Sequence, residues 1–306
     1  MARVSLLSTG GTIASFGSGL VSGDALLEAL GLTSLNTEWS VEEVFRVPSS
    51  QVTPQMQVEL ARRIDAASQN ADTVIVTHGT DSMEESAFMA DVLCQTSTPV
   101  VFTGAMRPGS DGDGSSNLVD AATVGLACST HTVGVTVVMN GLIHAPSEVR
   151  KLHSGADDAF YSRTPLGLVE GERVSWSGYK AHRFRITLPD IRAQPAPDVW
   201  LIRVGVGEQP QIRAAQETGV RGLVIEVFGK GNMPSPALDE ARACAQHGMV
   251  VVCTSRCGDG DVQMTYLDDN FIAAPHLDGL KARLLLMLCL GAGMNRQGVQ
   301  QVFNRN

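Results

Sequence analysis

The stretch that decides the fold is Thr73-Val74-Ile75-Val76-Thr77, followed by His78-Gly79-Thr80-Asp81 and then Ser82-Met83-Glu84-Glu85. A short apolar run of β-branched residues stops at a glycine-bearing polar loop, and a segment of helical period begins at once. That order is strand, loop, helix, the repeating step of a parallel sheet with crossover helices. Ser82-Met83-Glu84-Glu85 reads as a Ser-x-x-Glu capping box, which predicts that Ser82 and Glu85 satisfy free N–H groups in the first turn.

The same step recurs on either side. Strands are predicted at Val4 to Leu7, Val100 to Thr103 and Val133 to Met139, and helices at Pro54 to Ser68, Ser82 to Cys94 and Ser116 to Cys128. Around residues 189 to 197 the periodicity vanishes, and Pro189, Pro195 and Pro197 mark a linker. Beyond it, strands are predicted at Val199 to Val204, Leu223 to Val227 and Met249 to Thr254. Helices follow at Pro210 to Thr218, Pro236 to Gln246 and Leu277 to Leu290. The expected fold is α/β, with a larger N-terminal domain based on a parallel sheet (residues 1–188), a linker (189–197) and a smaller α/β C-terminal domain (198–306).

Composition narrows the function. With 306 residues, 43% of them hydrophobic, the chain can bury a sizeable core. A formal charge of -9 argues against nucleic acid or an anionic membrane as partner, because phosphate is bound through clustered Lys and Arg. The most apolar window, Leu284 to Leu290, is far shorter than the roughly 20 residues of a membrane span. The first residues do not read as a secretory signal, and the six cysteines are too sparse for a disulfide scaffold. They are expected to be reduced core residues in a cytoplasmic protein. Cys253-Thr254-Ser255-Arg256-Cys257 has only two thiols, so no metal site is expected.

Ligands of open parallel sheets bind beyond the carboxyl ends of the strands, which directs attention to two loops. After the first strand comes Ser8-Thr9-Gly10-Gly11-Thr12-Ile13-Ala14. Paired glycines let a ligand approach the backbone and leave N–H groups for a developing oxyanion, although a tight turn would use them equally well. The second loop is Thr77 to Asp81, where Thr80 and Asp81 could be plain helix caps or part of a site. A nucleotide-binding protein that uses these glycines as a phosphate cradle is a much weaker reading, since Gly-Lys-Ser/Thr and the full spaced glycine fingerprint are both missing.

Together these loops resemble the two signature segments of bacterial-type L-asparaginases. Gly104-Ala105-Met106-Arg107-Pro108 resembles the next strand-end motif of that family and Lys281-Ala282-Arg283 its C-terminal helix, so the likeness runs nearly end to end. It implies an amidohydrolase that converts L-asparagine to L-aspartate and ammonia without metal or organic cofactor. Thr12 would be the acylated nucleophile, and Thr80, Asp81 and Lys151 a second catalytic group. Lys151 stands in Glu148-Val149-Arg150-Lys151, after the strand ending Val138-Met139-Asn140. Alone it would read as a solvated surface lysine. The likeness further implies substrate contacts from Gly11, Ser50, Gln51, Gly79, Thr80, Asp81 and Ala105, and a homotetramer built as a dimer of dimers.

Two departures stand out. Many family members carry a tyrosine on a lid shortly after the first glycine loop, but the tyrosines of this chain are Tyr161, Tyr179 and Tyr266. The acidic partner expected from the C-terminal half has no clear counterpart in Gly258-Asp259-Gly260-Asp261-Val262-Gln263-Met264. Three alternatives remain open on sequence: a glutaminase, an amide hydrolase acting on a larger molecule, and an amino-acid-binding relative that has lost turnover. One methylene in a pocket is worth only about 1–3 kcal/mol, so sequence does not separate asparagine from glutamine.

Overall fold

The computed structural model describes residues 1–11, 13, 15–16, 19–20, 25, 27–28, 37–109, 112–127, 134–186, 194–207 and 209–304, with the backbone alone at 15–16 and 19–20. Thr12 and Cys128 lie outside the described residues, as do residues 189–193 of the expected linker. Two units emerge, Met1–Ala181 and His182–Asn306.

In the first unit the strands are β1 (Ala2–Ser8), β2 (Ser15–Phe16), β3 (Gly19–Leu20), β4 (Thr37–Glu43), β5 (Thr73–Thr77), β6 (Val100–Thr103), β7 (Val135–Met139), β8 (Leu142–His144), β9 (Arg150–Lys151), β10 (Phe160–Tyr161), β11 (Gly167–Glu170) and β12 (Arg173–Trp176). The helices are α1 (Pro54–Ala67), α2 (Met83–Leu93) and α3 (Gly114–Ala127). Eight strands form one mixed sheet in the order β12-β11-β8-β7-β6-β5-β1-β4. From β4 to β7 all neighbours are parallel, and from β7 to β12 all are antiparallel.

Burial on both faces explains the continuous apolar runs of the parallel strands. Leu7, Val74, Val76, Phe102 and Val137 pack with Leu60 and Ile64 of α1 and with Met83 and Ala87 of α2. Their neighbours of opposite parity, Leu6, Ile75, Val101 and Val138, pack with Leu118 and Ala121 of α3. Each fully buried side chain of this kind adds about 1.5–3 kcal/mol to the drive to fold.

The change from parallel to antiparallel has a local cause. Met139 pairs with Leu142 across Asn140-Gly141, both at positive φ (50° and 74°). That is the residue pair and backbone geometry a two-residue hairpin requires. The chain therefore reverses after β7 without a crossover helix.

The second unit holds a four-stranded parallel sheet, β13 (Val199–Arg203), β14 (Gly222–Val227), β15 (Val250–Ser255) and β16 (Ile272–Ala273), in sequence order. Its helices are α4 (Pro210–Thr218), α5 (Ser235–Gln246), α6 (Gly279–Gly291) and α7 (Arg296–Phe303). The apolar run Leu284 to Leu290 is buried within α6, and among the described residues no helix is long and apolar enough to cross a membrane. Asp278 caps α6 by accepting from the Lys281 amide, and its carboxylate also takes the buried Lys281 ammonium at 2.7 Å.

Five described cysteines carry free thiols. Cys94, Cys244, Cys253 and Cys289 are buried as expected, and burial pushes the Cys289 thiol up to about 12. Cys257 departs from the expectation: it is exposed in the loop after β15.

Candidate functional site

Three loops of the first unit meet at the carboxyl ends of β1 and β5. Thr9 continues the sheet for one residue, its amide and its hydroxyl both donating to the Thr77 carbonyl at 3.1 and 2.9 Å. The chain then turns through Gly10 and Gly11 at φ 93° and 83°. A Cβ on Gly11 would lie 2.3 Å from Gly79 Cα, and one on Gly79 would lie 2.5 Å from Ser49 Oγ. Glycine is thus required on both loops because the two backbones touch, a stronger reason than turn geometry alone.

Ser49–Gln51 forms a single helical turn beside them. Ser49 is buried, whereas Ser50 and Gln51 are exposed. The Asp81 amide donates to Ser49 Oγ at 3.1 Å, and the Ser82 hydroxyl donates to the Ser49 carbonyl at 2.7 Å. This corrects the expected capping box: Ser82 does precede α2, but its side chain makes no cap bond to the helix. The hydroxyl is spent on tying the third loop to the second.

Lys151, on the two-residue strand β9, comes to the same place from sixty-seven residues beyond α2's first turn. Its Nζ donates to Thr80 Oγ1 at 2.8 Å and to Asp81 Oδ1 at 3.0 Å. The lysine side chain is 15% exposed and that of Asp81 66%, so the pair lies at the boundary between protein and solvent. Thr80, beneath it, is buried.

His78 is fully buried under this loop, and desolvation pushes its pKa down to about 4. Its Nδ1 lies 2.8 Å from the Gly79 carbonyl, which can only accept, so the neutral ring carries its proton on Nδ1. Ala105 is buried in the loop after β6. Asp113 holds that loop by accepting from the Met106 and Arg107 amides, and Asn117 donates to the Gly104 carbonyl.

The structure therefore brings together Gly11, Gly79, Thr80, Asp81 and Lys151, and leaves Ser50 and Gln51 on the adjoining turn with their side chains open to solvent. Sequence reasoning missed Ser49, Asp113, Asn117 and Glu84, all buried polar side chains that fix these loops. The one signal available was Glu84-Glu85 itself, two carboxylates where a cap needs one. Among the described residues no three His, Cys, Asp or Glu side chains converge as metal ligands would.

A mixed α/β sheet with hydroxyl, carboxylate and lysine gathered at its carboxyl edge, followed by a second parallel-sheet unit, defines the class. Comparison with known proteins gives the family. Residues 3–181 match the model of the N-terminal asparaginase domain, and residues 198–303 match that of the glutaminase/asparaginase C-terminal domain. This chain belongs to the asparaginase/glutaminase family of amidohydrolases. It is 33% identical over 319 residues to a probable L-asparaginase of Deinococcus radiodurans, covering 99% of this chain and 97% of that one. It is 29% identical over 330 residues to a glutaminase-asparaginase of Pseudomonas fluorescens, covering 99% and 90%. The crystal structure of a probable cytoplasmic L-asparaginase from Campylobacter jejuni superposes with a TM-score of 0.89 at 28% identity, each chain covered in full.

Proposed function

We propose that this protein is an L-asparaginase, hydrolysing the side-chain amide of L-asparagine to L-aspartate and ammonia through an acyl-enzyme on Thr12. The observation that carries the reading is the bonding of Lys151 Nζ to Thr80 and Asp81 beside the point where Gly11 meets Gly79. Thr12 follows directly on Gly11, whose backbone is fixed against that second loop. A threonine hydroxyl is a weak nucleophile and needs both a route for its proton and donors for the tetrahedral oxyanion. Thr80 accepts from the lysine, which leaves its own hydroxyl hydrogen to orient a water or the substrate.

In the first half-reaction the Thr12 oxygen bonds to the side-chain carbonyl carbon, the C–N bond breaks, and the threonine proton leaves with ammonia. In the second, water adds to the ester, returns a proton to Thr12 and releases aspartate. Both halves use the Lys151 group as the proton relay, with no metal or organic cofactor. Gly11, Ser50, Gln51, Gly79, Thr80, Asp81 and Ala105 form the substrate's surroundings in this reading.

Glutamine is the second reading, supported by the similarity to a relative named glutaminase-asparaginase. The test is kcat/KM for the two amino acids by ammonia release. The expected result is a higher value for asparagine, and a higher value for glutamine would reassign the substrate. We further infer a homotetramer, checked by light scattering, and a cytoplasmic setting, which the free thiols support.

A further inference from the structure

We propose that Glu84 is the positioning residue that holds Lys151 in place for the reaction, an inference that rests on the role given to Lys151 above. Glu84 lies in the first turn of α2 and is 9% exposed. A buried carboxylate is expensive unless it is hydrogen-bonded, and a helix terminus alone gives no reason to bury one. Its Oε2 accepts from the backbone amide of Lys151 at 2.9 Å.

The consequence follows from where the partners come from. Thr80, Asp81 and Glu84 belong to one short segment, the end of the β5 loop and the start of α2. That segment grips Lys151 at both ends, the carboxylate of Glu84 on its backbone and Thr80 with Asp81 on its ammonium. β9 is only two residues long and, among the described residues, pairs with the equally short β10, Phe160 opposite Lys151, while Val149 and Phe160 pack into the core. The pairing of so short a hairpin contributes little by itself, so the backbone at Lys151 is placed by what anchors it from outside. The bond from Glu84 ties it to a helix whose inner face is packed into the core of the sheet, and so fixes the point from which the lysine side chain reaches. Glu84 acts through Lys151 and is not itself a catalytic residue.

The test compares Glu84→Gln with Glu84→Met, which match in length and differ in whether an oxygen can accept the amide. A displacement near 1 Å costs about 100-fold, so Glu84→Met should lower kcat by about 10- to 100-fold with KM within about 3-fold, while Glu84→Gln stays near wild type. In a Lys151→Met background, Glu84→Met should add no further loss of kcat, whereas a merely structural role would add its full effect. Amide exchange over residues 149–153 supplies a readout independent of turnover: faster at Lys151 in Glu84→Met, unchanged in Glu84→Gln. Equal kcat in the Gln and Met variants, or unaltered exchange in the Met variant, would overturn the proposal. Should Glu84→Met fail to fold, Glu84→Asp, which withdraws the same carboxylate by one methylene, takes its place with the same expected fall in kcat, and wild-type kcat there would overturn it. A wild-type protein without amidase activity would instead refute the asparaginase reading, and the exchange result would still judge the Glu84 bond.

Discussion

Replacing Gly11 with alanine puts one methyl group at the junction of the two glycine loops, and its cost can be worked from the structure. Two terms contribute. Gly11 has φ +83°, and a side chain in the left-handed region costs about 1–2 kcal/mol. The new Cβ would also lie 2.3 Å from Gly79 Cα and 2.4 Å from Gly79 N, where ordinary contact begins at 3.4 Å. Both obstacles are backbone, so the loops must part by about 1 Å, an overpacking of about 1–3 kcal/mol. The total is about 2–5 kcal/mol, or roughly 4–20 °C in Tm for a unit of this size. The same displacement moves the Gly11 backbone away from the loop that carries Thr80, and on the proposed mechanism about 1 Å of misplacement lowers turnover about 100-fold. Gly171→Ala is the control, since φ is +62° there and nothing among the described residues lies within 4 Å of the added carbon. It should show the first term alone and full activity. Thermal unfolding and kcat/KM for asparagine read both variants. A Gly11→Ala protein as stable as Gly171→Ala, with wild-type kcat/KM, would mean that the two loops do not need their close contact.

Other outcomes follow from the same geometry. Lys151→Met should lower kcat by about 100-fold or more, the usual worth of a positioned proton-transfer group, and full turnover would remove the lysine from the mechanism. Ser49→Ala should destabilise by about 1–3 kcal/mol in urea unfolding because the Asp81 amide loses its acceptor. Ser50→Ala, at an exposed position, should leave stability within about 0.5 kcal/mol while raising KM; the reverse pattern would exchange the two roles. Stability should also fall in acid. Burial pushes His78 and His144 down from 6.5 to about 4, so both are neutral when folded, and below pH 6.5 the unfolded chain binds the extra protons. The stability they contribute is whole above 6.5 and is lost as pH falls to about 4, about 3 kcal/mol for each histidine. A urea midpoint that stays flat from pH 7 to pH 4.5 would contradict this.

The parts of the fold that sequence revealed are those where physics leaves one pattern. β5 and β6 are buried on both faces, and continuous Val, Ile and Phe runs bounded by polar loops placed them at the residues observed. β4 was missed because it is an edge strand with only half-buried and exposed positions, where Trp39 and Val41 stand alone among polar residues, Thr37-Glu38-Trp39-Ser40-Val41-Glu42-Glu43. The antiparallel half was missed although Asn140-Gly141 announced its first hairpin; the remaining strands, two to four residues long, carry too little pattern to separate from loops. At the candidate site, the glycines and Thr80-Asp81 could be read locally, whereas Lys151 was chosen through family resemblance alone. Ser49 and Glu84 were not singled out, because the hydrogen bonds that give each its place, to Asp81 and to Lys151, join segments far apart in the chain, which no local pattern encodes.

In the proposed reaction the acyl group is carried by Thr12. Ammonia release from asparagine by wild type and Thr12→Ala, at equal concentration of folded protein, tests it most directly. Wild type should release ammonia steadily and Thr12→Ala none; sustained release by the alanine variant would mean that Thr12 does not carry the acyl group.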